Sequence, residues 1–104
     1  MARFDVYPNP IAADRGDFPF MLEVQSDLLY RFAERVCIPL VRPDAFPGMT
    51  PRFNPAITVA GESFRLHPLG IAVFLVKELR ESVGHAQAHA LDIETALDMM
   101  FRGY

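Results

Sequence analysis

Three side chains that can bind a divalent metal lie at helical spacing near the end of the chain. His85 and His89 are four residues apart, and Asp92 follows three residues later. On one continuous helix they would share a face, and zinc accepts imidazole and carboxylate ligands. No fourth ligand is identifiable, so we interpret the three residues as solvated side chains near the start of a helix. The sequence therefore predicts no metal site and no cofactor.

The candidate nucleophiles lack the surroundings that would activate them. Cys37 stands among apolar residues, which predicts a buried cysteine that acts as a small hydrophobic side chain. The pairs Ser26-Asp27 and Glu62-Ser63 place a hydroxyl beside a carboxylate, but neither pair lies in a recognisable catalytic motif. We interpret both pairs as turn or strand-end residues. The sequence thus predicts no catalytic residues and no enzyme.

The last seven residues have a composition that is typical of a binding surface. They include two methionines, two aromatic residues and an arginine, whereas chain ends are usually polar and frayed. Aromatic and arginine side chains dominate binding hot spots. Two interpretations stay open: the apolar residues complete the core-facing side of a helix, or Phe101, Arg102 and Tyr104 contact a partner. Asp98 and Arg102 also form a helical ion pair at i, i+4.

Alternation of apolar and polar residues predicts a chain built mainly from short strands. Pro39 lies within one of them, and because proline donates no ladder hydrogen bond, we predict an edge strand or a bulge there. A tight turn at Gly61 joins two strands in a hairpin. The segment 69–76 is apolar throughout, and periodicity leaves open a buried strand or the start of a helix. The predicted strands are residues 3–7, 18–29, 35–41, 57–59 and 64–66.

Two loops and one helix complete the predicted fold. Prolines, glycine and aspartates mark a loop at residues 8–17, and four prolines at four-residue intervals exclude a helix from residues 43–55. Apolar residues recur with a period of 3.6 from Ala86 to Phe101, and Gly103 ends the predicted helix. The fold class is therefore mainly β (α+β), a strongly bent antiparallel sheet or small barrel with one C-terminal α-helix.

Length and charge limit the classes of function. The 104 residues suit one domain, which we place at residues 1–104. The net charge of -3 argues against sequence-independent nucleic-acid binding, which needs clustered positive charge. The longest wholly apolar run, residues 69–76, is too short to cross a bilayer. We therefore expect a soluble intracellular domain.

Four sequence blocks can be compared with known families. They are Val24-Gln25-Ser26-Asp27-Leu28-Leu29, Ile38-Pro39-Leu40, Val59-Ala60-Gly61-Glu62-Ser63-Phe64-Arg65, and the ending from Asp92-Ile93 to Met100-Phe101-Arg102-Gly103-Tyr104. Together these blocks resemble the CcdB toxin family, whose order and spacing they match over nearly the whole chain, with a longer first loop around residues 8–18. The fold that the resemblance implies, an SH3-like barrel with a C-terminal helix, agrees with the pattern described above.

The resemblance implies the toxin of a bacterial type II toxin–antitoxin system, used in plasmid maintenance. Such a toxin is a cytoplasmic homodimer without an enzymatic activity or a membrane anchor, which binds DNA gyrase A and traps the gyrase–DNA cleavage complex. A cognate antitoxin (CcdA-like) neutralises it, and the pair represses its own operon, with operator DNA bound only through the antitoxin. Carried over by position, the gyrase-binding residues are Leu28, Leu29, Asp98, Phe101, Arg102, Gly103 and Tyr104. For the antitoxin we consider the loops at residues 8–17 and 43–55.

Two alternatives stay open beside this function. Arg102 and Tyr104 stand where the best-known toxins of the family have Trp and Ile, which puts a cation in place of a flat apolar side chain. The first alternative is therefore a weakened toxin that acts mainly as an antitoxin-binding and co-repressor partner. The second is an endoribonuclease toxin of the same fold, for which Thr50, Arg52 and Arg65 are the candidates for an RNA-binding groove.

Overall fold

Seven strands form one antiparallel sheet that curves into a nearly closed barrel in the computed structural model, which describes residues 2–104. The sheet has the order β4-β5-β3-β2-β1-β7, and β6 also pairs with β3. This architecture confirms the predicted mainly β fold with one C-terminal helix. The elements are β1 (Asp5–Pro8), β2 (Phe20–Glu23), β3 (Glu34–Val41), β4 (Ala56–Val59), β5 (Glu62–Leu66), β6 (Ala72–Leu75), β7 (Gly84–His85) and α1 (Ala90–Phe101).

The central strand β3 contains Pro39, so the prediction of an edge strand at this proline is wrong. β3 pairs with β2 along one side, where Pro39 lies opposite Met21, and with β6 and then β5 along the other side. The carbonyl of Pro39 accepts a hydrogen bond of 3.0 Å from the N–H of His67, on the side away from β2. Because the N–H and the carbonyl of a strand residue point to the same side, Pro39 lacks its N–H on the side away from β2, where the partner of β3 changes from β6 to β5. No hydrogen bond between β3 and β2 is therefore lost.

Two other segments differ from their predicted form. β2 ends at Glu23 rather than near Leu29, because Ser26 Oγ accepts a hydrogen bond of 3.2 Å from the N–H of Leu28 and starts a short 3-10 turn. Residues 72–75 of the apolar segment 69–76 form a strand, β6, between two 3-10 turns, and Phe74 is the one buried residue within this strand. The remaining β6 side chains are partly or largely exposed, so this strand is not the buried strand that its composition suggested.

The hairpin of β4 and β5 forms where it was predicted, whereas α1 begins at Ala90, four residues after the predicted start at Ala86. Ala60 and Gly61 connect the two strands with positive φ angles of 52° and 81°, the turn geometry that matches strand twist. The helix ends at Phe101, and Gly103, two residues later, has a φ angle of 83° and donates its N–H to the carbonyl of Asp98 at 3.1 Å. Phe101 is 68% exposed, so of the two interpretations left open for it, the core-facing one is wrong.

The core of the barrel lies between the sheet and α1, which contributes Ile93 and Ala96. A second, smaller apolar cluster lies on the other face of the sheet and contains Tyr7, Cys37 and Phe74. Both faces of β1, β2 and β3 are therefore covered, which gives these strands buried residues at consecutive positions. Among residues 2–104, every helix is too short or too polar to cross a bilayer.

Candidate functional site

The loop after β2 exposes large apolar side chains. We define the apolar loop as residues 26–33, which begin with the turn capped by Ser26. Leu28 is 87% exposed and Tyr30 is 73% exposed, and the side chains of Leu29 and Phe32 are about half exposed. Because exposed apolar area of this extent is unfavourable in water, such a loop is typical of a surface that binds a partner.

The C-terminal end of α1 holds the other predicted contact residues together. Arg102 lies 3.8 Å from Asp98 Oδ1 through its Nη1, and its guanidinium carbon lies 4.8 Å from the centroid of the Tyr104 ring. Phe101 is 68% exposed beside them. The backbone N–H groups of Arg102 and Gly103 both donate to the Asp98 carbonyl, so the chain turns back at Gly103. The ion pair and the cation–π contact restrict the arginine side chain before any partner binds.

Arg3 connects the apolar loop to α1. Its backbone N–H donates to Asp27 Oδ1 at 2.8 Å, and its Nη1 donates to Glu94 Oε1 at 3.2 Å. Glu94, Asp98 and Phe101 follow at spacings that place them on one face of the helix. The structure therefore brings the predicted residues together as two groups on neighbouring elements, with Leu28 and Leu29 on the loop and the others at the helix end.

Three aromatic rings lie between the two loops considered for the antitoxin. The ring centroids of Phe46 and His67 are 4.9 Å apart, and those of Phe18 and Phe46 are 5.5 Å apart. His67 lines two cavities, of about 170 Å³ and about 230 Å³. Burial lowers the pKa of His67, which keeps its imidazole neutral near pH 7. The buried side chains of Asn9 and Asn54 hydrogen-bond to backbone groups and give both loops a fixed shape.

The three candidate metal ligands do not share one helix. His85 lies in β7, and its Nδ1 is 2.7 Å from Asp5 Oδ1. His89 precedes the helix, and its Nε2 accepts a hydrogen bond of 3.2 Å from the N–H of Thr58. Within residues 2–104, no group of three or more His, Cys, Asp or Glu side chains is placed to hold a metal ion.

The candidate nucleophiles have structural surroundings. Cys37 is fully buried, as predicted, and burial together with the charge of Glu23 raises the pKa of its thiol to about 12. The thiol therefore stays protonated and unreactive at neutral pH. Ser26 caps a turn, and Glu62 opens β5, so both act at a turn or strand end as predicted.

The residues considered for an RNA-binding groove surround Asn54. Thr50 donates its backbone N–H to Asn54 Oδ1 at 3.0 Å, and Arg65 donates from Nη1 to the Asn54 carbonyl at 3.0 Å. Arg65 thus contacts the proline-rich loop, while Arg52 is exposed to solvent. The structure brings Thr50 and Arg65 to the same asparagine, where they stabilise the loop.

The sequence analysis missed a buried ion pair next to the apolar loop. Glu23 Oε2 lies 3.7 Å from Arg35 Nε, and both residues are more than nine-tenths buried. Burial raises the pKa of Glu23 more than Arg35 lowers it, and the charges of Asp5 and Asp27 raise it further. Strand alternation places Glu23 on the face of β2 that points away from the barrel core. The second apolar cluster, which buries that face, leaves no signal in the local sequence.

The chain is similar to known proteins over nearly its whole length. A family model described as CcdB protein matches residues 3–103. The chain is similar to the solved structure of an endoribonuclease in complex with its cognate antitoxin from Mycobacterial species, with a TM-score of 0.76, 20% identity, and coverage of 95% of this chain and 92% of that chain. A second endoribonuclease from Mycobacterial species has a TM-score of 0.69 and 18% identity, with coverage of 95% and 88%. At these identities the likeness shows the fold. No curated protein matches the chain.

Proposed function

Because this chain belongs to the CcdB protein family, we propose that it is the toxin of a toxin–antitoxin pair, binds DNA gyrase A and traps the gyrase–DNA cleavage complex. The observation that carries this proposal is the exposure of Leu28 on the apolar loop and of Phe101 and Tyr104 at the end of α1, where the Tyr104 ring lies against Arg102. Aromatic and arginine side chains that lose water on binding contribute most of the affinity at protein interfaces.

Trapping requires binding that depends on the state of the target. A protein that binds the cleaved gyrase–DNA complex more tightly than the resealed one shifts the equilibrium toward the cleaved state. The toxin then needs no chemistry of its own, because gyrase makes the break. The restrained Arg102 side chain and the turn at Gly103 favour this mode, since a surface already in its binding conformation loses less entropy on association.

A homodimer is part of the proposal, and β6 supplies a surface for it. Val73 is 58% exposed, and β6 pairs with β3 along one edge. Val73 also lines a shallow cavity of about 410 Å³ together with Leu29, Phe32 and Val36. An apolar surface beside a strand edge favours association with a second copy. A two-fold dimer would present the binding surface twice, which suits a target that is itself two-fold.

The antitoxin is the second proposed partner. We place its binding surface at the aromatic rings of Phe18, Phe46 and His67 and the two cavities beside them. A similar solved structure is an endoribonuclease with its cognate antitoxin, which supports a partner of this class. We further propose that the chain folds as one domain over residues 1–104 and acts in the cytoplasm, where gyrase and DNA are found. In this proposal it contacts operator DNA only through the antitoxin.

A gyrase cleavage assay tests the proposal directly. Supercoiled plasmid, gyrase, ATP and the toxin are incubated, and linear DNA is scored after detergent and protease treatment. We expect linear DNA with the wild-type protein, and a loss of at least tenfold with Leu28→Asp or after deletion of residues 102–104. Leu91→Asp is the matched control, because Leu91 is 77% exposed at the other end of α1. No linear DNA from folded, dimeric wild-type protein would contradict gyrase trapping.

An endoribonuclease activity is the second candidate, because both similar solved structures described above carry that activity in their names. Incubation of the pure protein with total RNA distinguishes the two functions. Discrete cleavage products that disappear with Arg65→Ala would favour the nuclease over the gyrase toxin. Tight antitoxin binding with neither linear DNA nor RNA cleavage would indicate the weakened toxin.

A further inference from the structure

We infer that Arg35, paired with the buried Glu23, is a positioning residue that holds the apolar loop in the backbone conformation that binds the target. The identity of the target rests on the proposed function. The hold on the loop itself rests on the contacts of Arg35 and can be measured without any target.

The guanidinium of Arg35 donates hydrogen bonds to backbone carbonyls at the end of the apolar loop. Its Nη2 donates to the carbonyl of Tyr30 at 2.8 Å, and its Nη1 donates to the carbonyls of Phe32 and Glu34, the latter at 2.9 Å. The planar guanidinium presents its donors in a fixed arrangement. The carbonyls of every second residue from Tyr30 to Glu34 are therefore fixed relative to one another. This also fixes the directions in which the side chains of Tyr30 and Phe32 project.

Glu23 supplies the charge that lets Arg35 remain inside the protein. A buried cation without a counter-charge is strongly unfavourable, and Glu23 Oε2 lies 3.7 Å from Arg35 Nε. Glu23 Oε1 is buried and has no hydrogen-bond partner among the described residues. Among the described residues, the contact with Arg35 is the ion pair that accounts for the buried position of this carboxylate.

Gln25 fixes the loop from its other end. Its Nε2 donates to the carbonyl of Glu34 at 3.1 Å, and its Oε1 accepts from the N–H of Val36 at 2.9 Å. Gln25 thus binds the start of β3, while the carbonyls of Tyr30 and Phe32 are held by Arg35. Loss of the guanidinium would therefore release the part of the loop around Tyr30 and Phe32 and leave both of its ends attached.

Amide hydrogen exchange tests the hold on the loop. Lysine keeps the positive charge but lacks the planar donors, so in Arg35→Lys we expect the amides of Leu29, Tyr30 and Phe32 to exchange about 10-fold to 100-fold faster. Core amides such as those of Leu22 and Ile38 should change by less than about threefold. Glu23→Gln should have the same local effect, which keeps the test decisive if either variant folds poorly.

Arg42→Lys is the matched control. Arg42 also donates to a backbone carbonyl, that of Gly16, and also pairs with a glutamate, Glu62 at 3.2 Å, but it lies outside the apolar loop. Exchange in the loop should equal that of the wild type in this variant. Unchanged loop exchange in both Arg35→Lys and Glu23→Gln, or an equal rise throughout the core, would overturn the inference.

The gyrase assay then tests whether the restraint of the apolar loop by Arg35 affects binding of the target. In Arg35→Lys we expect the toxin concentration for half-maximal linear DNA to rise at least tenfold, in an assay run well below the melting temperatures of both proteins. Faster loop exchange with unchanged trapping would overturn the role of Arg35 in binding. If the wild-type protein yields no linear DNA, the proposed function fails, while the exchange experiment still decides whether Arg35 holds the loop.

Discussion

Glu23 is the residue at which burial and charge oppose each other most directly. Its folded-state pKa is raised, mainly by burial, above the unfolded value of about 4.3. The folded protein therefore binds this proton more tightly, so the contribution of Glu23 to stability is fully present below pH 4.3 and is lost as the pH rises through the folded pKa. We predict that the free energy of unfolding of the wild type, minus that of Glu23→Gln, falls as the pH rises from about 4 to 8.

Urea unfolding of both proteins at a series of pH values measures this difference. One proton limits its slope to about 1.4 kcal/mol per pH unit. Glu62→Gln serves as the control at an exposed ion pair, where we expect a difference of less than about 0.5 kcal/mol. A difference for Glu23→Gln that rises with pH would mean that Arg35 outweighs burial and that the assigned direction is wrong.

The turn between β4 and β5 is an element whose stability depends on two backbone angles. Ala60 and Gly61 both have positive φ, but glycine alone adopts this conformation without strain. We predict that Gly61→Ala lowers the free energy of unfolding by about 1 kcal/mol, and that Ala60→Gly raises it by up to about 1 kcal/mol. Urea unfolding at one pH measures both changes.

Gly16→Ala controls for the loss of a glycine as such. Gly16 has no positive φ, and a β-carbon there would meet no atom within 4 Å. A stability change of less than about 0.5 kcal/mol is expected, because this substitution mainly restricts the unfolded chain. Equal destabilisation by Gly16→Ala and Gly61→Ala would show that the turn geometry is not the cause.

The elements that the sequence predicted well are those whose signals are local. Gly61 between alternating apolar and polar residues predicts the hairpin of β4 and β5, and the 3.6-residue period before Gly103 predicts the helix α1. Both signals come from neighbouring residues in the chain, and both elements are confirmed. Pro39 was misjudged because its tolerance depends on where β3 changes partners. The contact residues came from the family resemblance. The Glu23–Arg35 pair was missed because the second apolar cluster, whose members Tyr7 and Phe74 are remote in sequence, covers the face of β2 that carries Glu23.

The whole molecule leaves one end of β3 and the exposed side chains of β6 without a covering element. α1 packs on the barrel core and the second cluster covers the opposite face, but the end of β3 and β6 keeps Val73 largely exposed beside Leu29 and Phe32. Leu29 therefore belongs both to the apolar loop and to the surface that we propose for the dimer. Dimer formation and target binding share a structural element, so a variant that removes the dimer should also weaken gyrase trapping.

Val73→Asp tests this connection at the scale of the assembly. A charge at the centre of an apolar interface loses water without gaining a partner, so we predict a monomer at concentrations where the wild type is a dimer. Light scattering coupled to gel filtration measures the mass, and Leu91→Asp should remain dimeric because it adds the same charge at an exposed leucine outside this surface. Gyrase trapping by the monomer should fall at least tenfold, because each target would then meet a single binding surface. A wild type that is monomeric would refute the dimer, whereas a monomeric Val73→Asp with full trapping would refute the need for two surfaces.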